Sequence, residues 1–138
     1  MTAAKQVLAA QPFADLVGTE ITAFGDGATT LVVPIRPELR QQFGFVHGGV
    51  LSYAADAALT FAAGTVLGQN VLTGGFTITY LRPAAGIRLR AEATVTDSTR
   101  RQAVVRCEIY TETPDREPVL CAVAQGTARS IERDLTGA

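Results

Sequence analysis

The chain's single histidine, a glycine pair and a lone acid lie close together at the start of an apolar segment. His47 precedes Gly48 and Gly49, and Asp56 follows in a run of alanine, leucine and phenylalanine. Glycines where a helix begins leave backbone N–H groups unshielded at the positive end of the helix dipole, which suits an oxygen gaining negative charge. An unpaired carboxylate is costly to bury, so the presence of Asp56 in an apolar run needs an explanation. A donor and a carboxylate are the minimum set for hydrolysing an acyl group.

The spacing of the two groups decides how such a site would be assembled. Gly49 and Asp56 are separated by one helical heptad, which places them on the same helix face but about 10 Å apart at 1.5 Å per residue. A carboxylate must lie within a few ångströms of the donor that holds the same carbonyl, so one helix cannot easily supply both. We therefore predict a dimer whose two-fold axis brings Gly49 of one protomer near Asp56 of the other. A fully active monomer would contradict this.

Each residue also has a simpler interpretation. The glycine pair could equally serve only to open a helix or to allow close packing. His47 could merely cap the helix or bind backbone. Asp56 is harder to explain structurally, because the alanine run around it argues against a half-exposed helix, and buried unpaired acids tend to lie at functional sites.

Hydrophobic periodicity predicts the elements that carry these residues. A helix is predicted over residues 48–65, because apolar side chains recur there at helical spacing: Leu51, Ala54, Ala55, Ala58, Phe61 and Ala62. Two-residue alternation predicts strands over residues 18–24, 28–35, 73–81, 87–96, 103–110 and 119–131, preceded by a helix over 3–10 and a turn over 12–16. Short connections imply antiparallel pairing. The prediction is one α+β domain over residues 1–138, with a single antiparallel sheet wrapped around a long central helix.

Composition narrows the function classes. The chain has 138 residues and a formal net charge of −1, from 12 basic and 13 acidic residues, which disfavours a nucleic-acid partner. No apolar run approaches the length needed to span a membrane and the first residues are too polar and too short for a signal peptide, so we expect a soluble cytoplasmic protein. Cys107 and Cys121 lie in apolar strands and are predicted to be reduced core thiols. No metal site or cofactor is expected.

One family combines these motifs in the same order. Gly44-Phe-Val-His-Gly-Gly49, the acid at Asp56 and the strand end Ile78-Thr-Tyr-Leu-Arg-Pro83 together resemble the hotdog-fold thioesterases of the phenylacetic-acid-degradation (PaaI-like) type. The resemblance covers nearly the whole chain. It implies hydrolysis of acyl-coenzyme A, with coenzyme A as part of the substrate and no separate cofactor, in a homodimer that assembles further to a homotetramer.

The resemblance also implies a role for individual residues. The carboxylate of Asp56 would act as nucleophile or general base, and the amide of Gly49 would polarise the thioester carbonyl. His47 would orient the substrate or the residue before the glycines, and Thr73 would help to hold the attacking water. Gln41 stands where the family often has asparagine, so its longer amide would be displaced by about one methylene. Because the acid must be ionised, activity should fall at low pH, and a rate unchanged down to about pH 4 would count against the proposal.

Substrate binding is assigned to Gly48 and Arg82. Arg82 is the arginine singled out for the coenzyme A phosphates, although Arg88, Arg90, Arg100 and Arg101 are also near by topology. Aromatic walls for an aryl or medium-length acyl group are offered by Phe43, Phe45, Tyr53 and Phe61, which core packing would explain equally well. A hydratase is disfavoured because no acid lies just before His47. A non-catalytic acyl-coenzyme A binding or sensing module remains the alternative.

Overall fold

The computed structural model describes residues 1–131, and its long helix lies against one antiparallel sheet. Two short helices come first, α1 (Thr2–Ala9) and α2 (Pro12–Val17), followed by the hairpin of β1 (Glu20–Gly25) and β2 (Ala28–Pro34). A 3₁₀ helix at Pro37–Leu39 then leads to the long helix α3 (Gly48–Leu67). Four strands complete the described chain: β3 (Val71–Tyr80), β4 (Arg88–Ser98), β5 (Gln102–Glu112) and β6 (Val119–Ser130).

The six strands form one sheet in the order β1-β2-β4-β5-β6-β3, and every neighbouring pair is antiparallel. Asp26 and Gly27 form the two-residue turn between β1 and β2. Both have positive φ, 54° and 79°, the combination that suits a tight hairpin turn. The sheet order leaves β1 and β3 at its edges. The predicted α+β hotdog architecture is confirmed.

Helix α3 packs across the sheet because small side chains line its buried stripe. The stripe contains every position predicted for it, including Ala55, Ala58 and Ala62, none of which is measurably exposed. Alanine lets the backbone of the helix approach the sheet closely, so the strands can curve around it. In β4, the buried Leu89 and Ala91 alternate with more exposed arginines, as the period-two pattern predicted.

The location of α3 also explains its composition. By length and composition this helix could cross a membrane, so the prediction that no apolar run approaches that length was wrong. Its apolar residues are instead the core of the fold, because α3 contacts all six strands. Cys107 and Cys121 are free and buried in the same core, as predicted.

Residues 12–16 form part of a helix, so the predicted turn was wrong. Pro12 occupies the first turn, where its missing N–H costs nothing, and Gly18 ends the helix in the left-handed conformation with φ 90°. A proline at the start and a glycine just past the end are helix boundaries, and the two together mark a short helix. The predicted strand boundaries differ from the observed ones by up to about two residues, as fraying ends usually do.

Candidate active site

Asp56 lies on the partly exposed face of α3, so the expectation that it is buried within the alanine run was wrong. The sheet covers one side of the helix, and the other side carries a stripe that includes Gly49, Tyr53, Asp56 and Thr60. These positions follow the i, i+4, i+7, i+11 spacing of one helix face. The prediction that Gly49 and Asp56 share a face is therefore confirmed, and the carboxylate can be reached by solvent.

One threonine hydroxyl holds the carboxylate, and a second threonine hydroxyl lies against the first. Thr73, in β3, donates to Oδ1 of Asp56 at 2.5 Å. Thr60 Oγ1 lies 2.9 Å from Thr73 Oγ1 and 2.9 Å from the main-chain oxygen of Asp56. Thr73 has one hydrogen and gives it to the carboxylate, so the one hydrogen of Thr60 is shared between two acceptors, the main-chain oxygen of Asp56 and Thr73 Oγ1. Thr73 therefore fixes Oδ1 of Asp56, and within residues 1–131 no hydrogen bond engages the second carboxylate oxygen.

The carboxylate opens into a cleft of about 330 Å³ between α1, α3 and the start of β3. Tyr53 and Phe61, two of the four aromatic residues named from the sequence, line this cleft together with Phe24. The ring of Phe13 packs edge-to-face on Tyr53, with centroids 4.9 Å apart. Phe43 is 74% exposed and does not line the cleft, so its assignment as an acyl wall receives no support in the single chain.

Tyr53 lines the cleft, and its hydroxyl is influenced by the charge of Asp56. Its hydroxyl lies 2.8 Å from Thr19 Oγ1. Burial raises the pKa of Tyr53, the hydrogen bond with Thr19 lowers it, and the negative charge of Asp56 raises it further. The phenol therefore stays protonated at neutral pH and can donate a hydrogen bond.

The start of α3 is capped by its own histidine. The N–H of Gly49 donates to Nδ1 of His47 at 2.8 Å, so the expectation of a free amide at Gly49 was wrong for the single chain. An accepting Nδ1 requires a neutral imidazole whose hydrogen is on Nε2. Within residues 1–131, the N–H of Gly48 has no acceptor and is the open donor of this turn. The capping role considered for His47 is thus the one that the structure shows.

Gln41, Gly48 and Arg82 share a second cleft, of about 300 Å³, which also includes Phe45. The side-chain oxygen of Gln41 accepts the N–H of Phe43 at 2.5 Å and so closes the loop before the helix. A guanidinium nitrogen of Arg82 donates to the main-chain oxygen of Leu120 at 2.9 Å, while the residue as a whole is exposed. The second cleft therefore combines an amide, an open N–H and a cation.

Tyr80, at the end of β3, ties this cleft to the helix. Its hydroxyl donates to the main-chain oxygen of Gly48 at 3.0 Å and lies 2.7 Å from Ser52 Oγ. A Cβ on Gly48 would lie 3.4 Å from the Tyr80 ring, an ordinary van der Waals distance, so this contact does not itself require a glycine. Sequence analysis missed Tyr80 and Thr60; the i+4 spacing from Asp56 was the one local signal for Thr60.

The residues predicted to act together thus fall into two groups. Asp56 and Thr73 lie at the first cleft, whereas Gln41, Gly48 and Arg82 lie at the second. Gly49 and Asp56 are on one continuous helix, about 10 Å apart along its axis. Arg88 and Arg90 pair with Glu112 on the outer face of the sheet, so they are engaged away from both clefts.

Comparison with known proteins decides the family. The sequence profile of the thioesterase superfamily matches residues 43–117, more than half of the chain. The chain belongs to the thioesterase superfamily. A candidate esterase of Haemophilus influenzae is 31% identical to this superfamily member over 117 residues, which cover 83% of the chain and 82% of the relative.

Solved structures of other superfamily members agree. A thioesterase family protein of Silicibacter pomeroyi has a TM-score of 0.86 and 30% identity, covering 91% of this chain and 93% of its own. A variant of the phenylacetic acid degradation protein PaaI of Thermus thermophilus has a TM-score of 0.77 and 27% identity, covering 88% of this chain and 100% of its own. The similarity to PaaI-like hotdog thioesterases inferred from the motifs is confirmed. These relationships support thioester hydrolase activity for this superfamily member.

Proposed function

We propose that the chain hydrolyses acyl-coenzyme A thioesters that carry an aryl or medium-length acyl group. The observation that carries the proposal is the carboxylate of Asp56, which is solvent-accessible, fixed by Thr73 and set in a cleft with no other charged side chain among its lining residues. A carboxylate held in one orientation at an apolar cleft suits attack on a carbonyl carbon. Coenzyme A thiolate is a good leaving group.

The oxyanion donors come from the start of α3 in a second protomer. The supporting argument is the distance of about 10 Å that separates the helix start from Asp56 within one chain. Within residues 1–131, the outer edge of β3 pairs with no strand, and this ten-residue strand has no charged side chain. An edge of that kind is normally covered. Joining two sheets at β3 gives a homodimer with two shared sites, which can pair further into a homotetramer.

The reaction has two possible routes from the same geometry. Either the Asp56 carboxylate attacks the thioester carbon, the C–S bond breaks and water then hydrolyses the acyl-enzyme, or Asp56 deprotonates a water that attacks directly. In both routes the carbonyl oxygen gains charge next to the helix start, where each donor contributes a few kcal/mol of stabilisation. In a single turnover in ¹⁸O-water, label in Asp56 identifies direct attack, because it enters only when water cleaves the mixed anhydride at the carbonyl carbon of Asp56.

The first test is release of free thiol from aryl-, short-, medium- and long-chain acyl-coenzyme A by the native protein and by Asp56→Asn. We expect turnover with at least one substrate class and its collapse in the variant, with circular dichroism unchanged. No turnover with either protein would favour the non-catalytic binding module. One observation favours the binding module: the N–H of Gly49 already donates a hydrogen bond to His47.

The shared site has a separate test by complementation. Gly49→Pro removes the N–H at a first-turn position where proline is tolerated, and Gly49→Ala adds a similar Cβ while keeping the N–H as the matched control. Asp56→Asn and Gly49→Pro protomers, each inactive alone, are co-refolded in equal amounts. Half of the dimers are then mixed and each has one intact site of two, so about one quarter of the native activity should return. No recovery in verified mixed dimers would show that each site lies within one chain.

The proposal also includes the cellular location and the cofactor requirement of the enzyme. We expect a cytoplasmic enzyme without metal or added cofactor. Activity that is abolished by a chelator and restored by a metal would contradict that expectation.

A further inference from the structure

The N-terminal helix α1 forms one wall of the cleft that contains Asp56. Three of its side chains line the cleft: Ala3, Ala4 and Val7. The cleft is also lined by Tyr53 and Phe61 of α3 and by Val71 and Leu72 of β3. The acid therefore stands between a helix of the core and a short helix outside the sheet.

The charge of the lining indicates which part of the substrate this cleft takes. Asp56 is the one charged side chain among the lining residues, and none of them is basic. Coenzyme A carries several phosphate charges, which a cleft with a carboxylate and no cation would repel. The second cleft contains Arg82 and suits that moiety better. The cleft at Asp56 therefore suits the apolar acyl group.

The attachment of α1 makes it the most adjustable wall. It packs against β1 and α2, with Ala4 and Leu8 as its buried residues. Ala3 and Val7, one helical turn apart, are exposed where they line the cleft, and Val7 retains 40% exposure. Their side chains can change in size without disturbing the core, whereas Phe61 and its neighbours on α3 cannot.

We propose that α1 determines acyl-chain specificity, with the small side chains of Ala3 and Val7 setting the free length of the cleft beyond Asp56. This inference rests on the proposed acyl-coenzyme A hydrolysis and extends it to named specificity residues. A larger side chain at Ala3 shortens the cleft, and a smaller one at Val7 lengthens it. For short acyl groups, which end before α1, kcat/KM should be unaffected by both changes.

The test compares kcat/KM across straight-chain acyl-coenzyme A substrates for the native protein, Ala3→Leu and Val7→Ala. Ala3→Leu should lower kcat/KM for the longest accepted chains by roughly tenfold or more, and leave acetyl-coenzyme A within about twofold, since single methylenes have effects of this size in apolar pockets. Val7→Ala should shift the optimum towards longer chains. Gln6→Leu is the matched control, because it adds the same apolar side chain to α1 at an exposed position that does not line the cleft.

Binding measurements on Asp56→Asn separate this inference from the proposed function. One outcome is that no acyl-coenzyme A is hydrolysed, but its affinity measured by calorimetry depends on chain length and Ala3→Leu shifts that dependence. The role of α1 in specificity is then supported and the proposed hydrolysis is refuted. A second outcome is that the native protein hydrolyses acyl-coenzyme A, but Ala3→Leu and Val7→Ala have the same chain-length profile as the native protein. The role of α1 in specificity is then refuted and the proposed hydrolysis stands. An equal shift in Gln6→Leu also refutes that role of α1. Absence of both binding and hydrolysis overturns both proposals.

Discussion

Removing the hydroxyl of Thr73 tests whether the carboxylate of Asp56 works because it is held in one orientation. Thr73→Val preserves the shape of the side chain and its preference for a strand, and deletes the donor to Oδ1. Thr60 keeps a partner, because its hydroxyl also reaches the main-chain oxygen of Asp56. The fold should therefore survive, with the free energy of unfolding lowered by about 1.5 kcal/mol, the lower end of the range for a hydrogen bond to a charged group.

The expected loss of activity follows from the strength of that hydrogen bond. Hydrogen bonds to charged groups contribute about 1.5–3 kcal/mol, and the partly exposed position of Asp56 puts this one at about 1.5 kcal/mol. Because about 1.4 kcal/mol corresponds to a factor of ten in rate, kcat should fall about tenfold. KM should change little, since the hydroxyl is already committed to the carboxylate rather than to substrate.

The assay is the initial rate of thiol release, with kcat and KM determined separately for Thr73→Val, Thr73→Ser and Thr79→Val. Thr73→Ser keeps the hydroxyl and should recover most of the rate. Thr79→Val makes the same substitution at an exposed position of β3 and should be neutral. The reasoning is refuted if Thr73→Val turns over as fast as the native protein while Asp56→Asn is inactive. A faster Thr73→Val would also refute it, because the hydroxyl would then be restraining the carboxylate.

Three further outcomes are expected. The hydrogen bond from Arg88 holds the pKa of Glu112 below its ordinary value of 4.5, so its stabilisation is fully present above about pH 4.5 and disappears as pH falls through the folded-state pKa. Glu112→Gln should therefore lower the free energy of unfolding in urea by about 0.5–1 kcal/mol at pH 7, and by progressively less as pH falls below about 4.5. Burial raises the pKa of Cys107 to about 12, and Cys121 is shielded from reagents by burial, so an aromatic disulfide reagent at pH 8 should label neither thiol before unfolding. His47→Ala should cost about 1 kcal/mol of stability, and an unchanged urea midpoint would mean that the cap contributes nothing.

Local patterns predicted the elements well and the contacts between them poorly. The helix from Gly48 and the six strands follow from periodicity, because burial on one face dictates the apolar spacing. The short helix after Pro12 was missed because a six-residue helix carries too few periodic positions to distinguish it from a turn. The proximity of Thr73 to Asp56 depends on how the edge strand β3 is placed against α3. Only the resemblance to a family suggested that the two residues lie close together.

The His47 cap shows why a correct motif can still mislead about its hydrogen bonds. The sequence places histidine before two glycines, but whether Nδ1 accepts the Gly49 amide depends on the tautomer and the side-chain rotamer, which no spacing encodes. The docking of α1 beside Asp56 was likewise missed, since an eight-residue helix with two buried side chains gives no sign of which distant surface it will line.

The capped amide bears on which donor would serve the reaction. A thioester oxygen that arrives at the open N–H of Gly48 displaces nothing. At Gly49 it must replace a neutral imidazole acceptor, an exchange of similar bonds that gains little in the ground state. As the oxygen becomes an oxyanion, its hydrogen bond becomes charge-assisted and roughly twice as strong, so the exchange turns favourable. The Gly49 amide would then bind the transition state better than the substrate, which is the difference that accelerates a reaction.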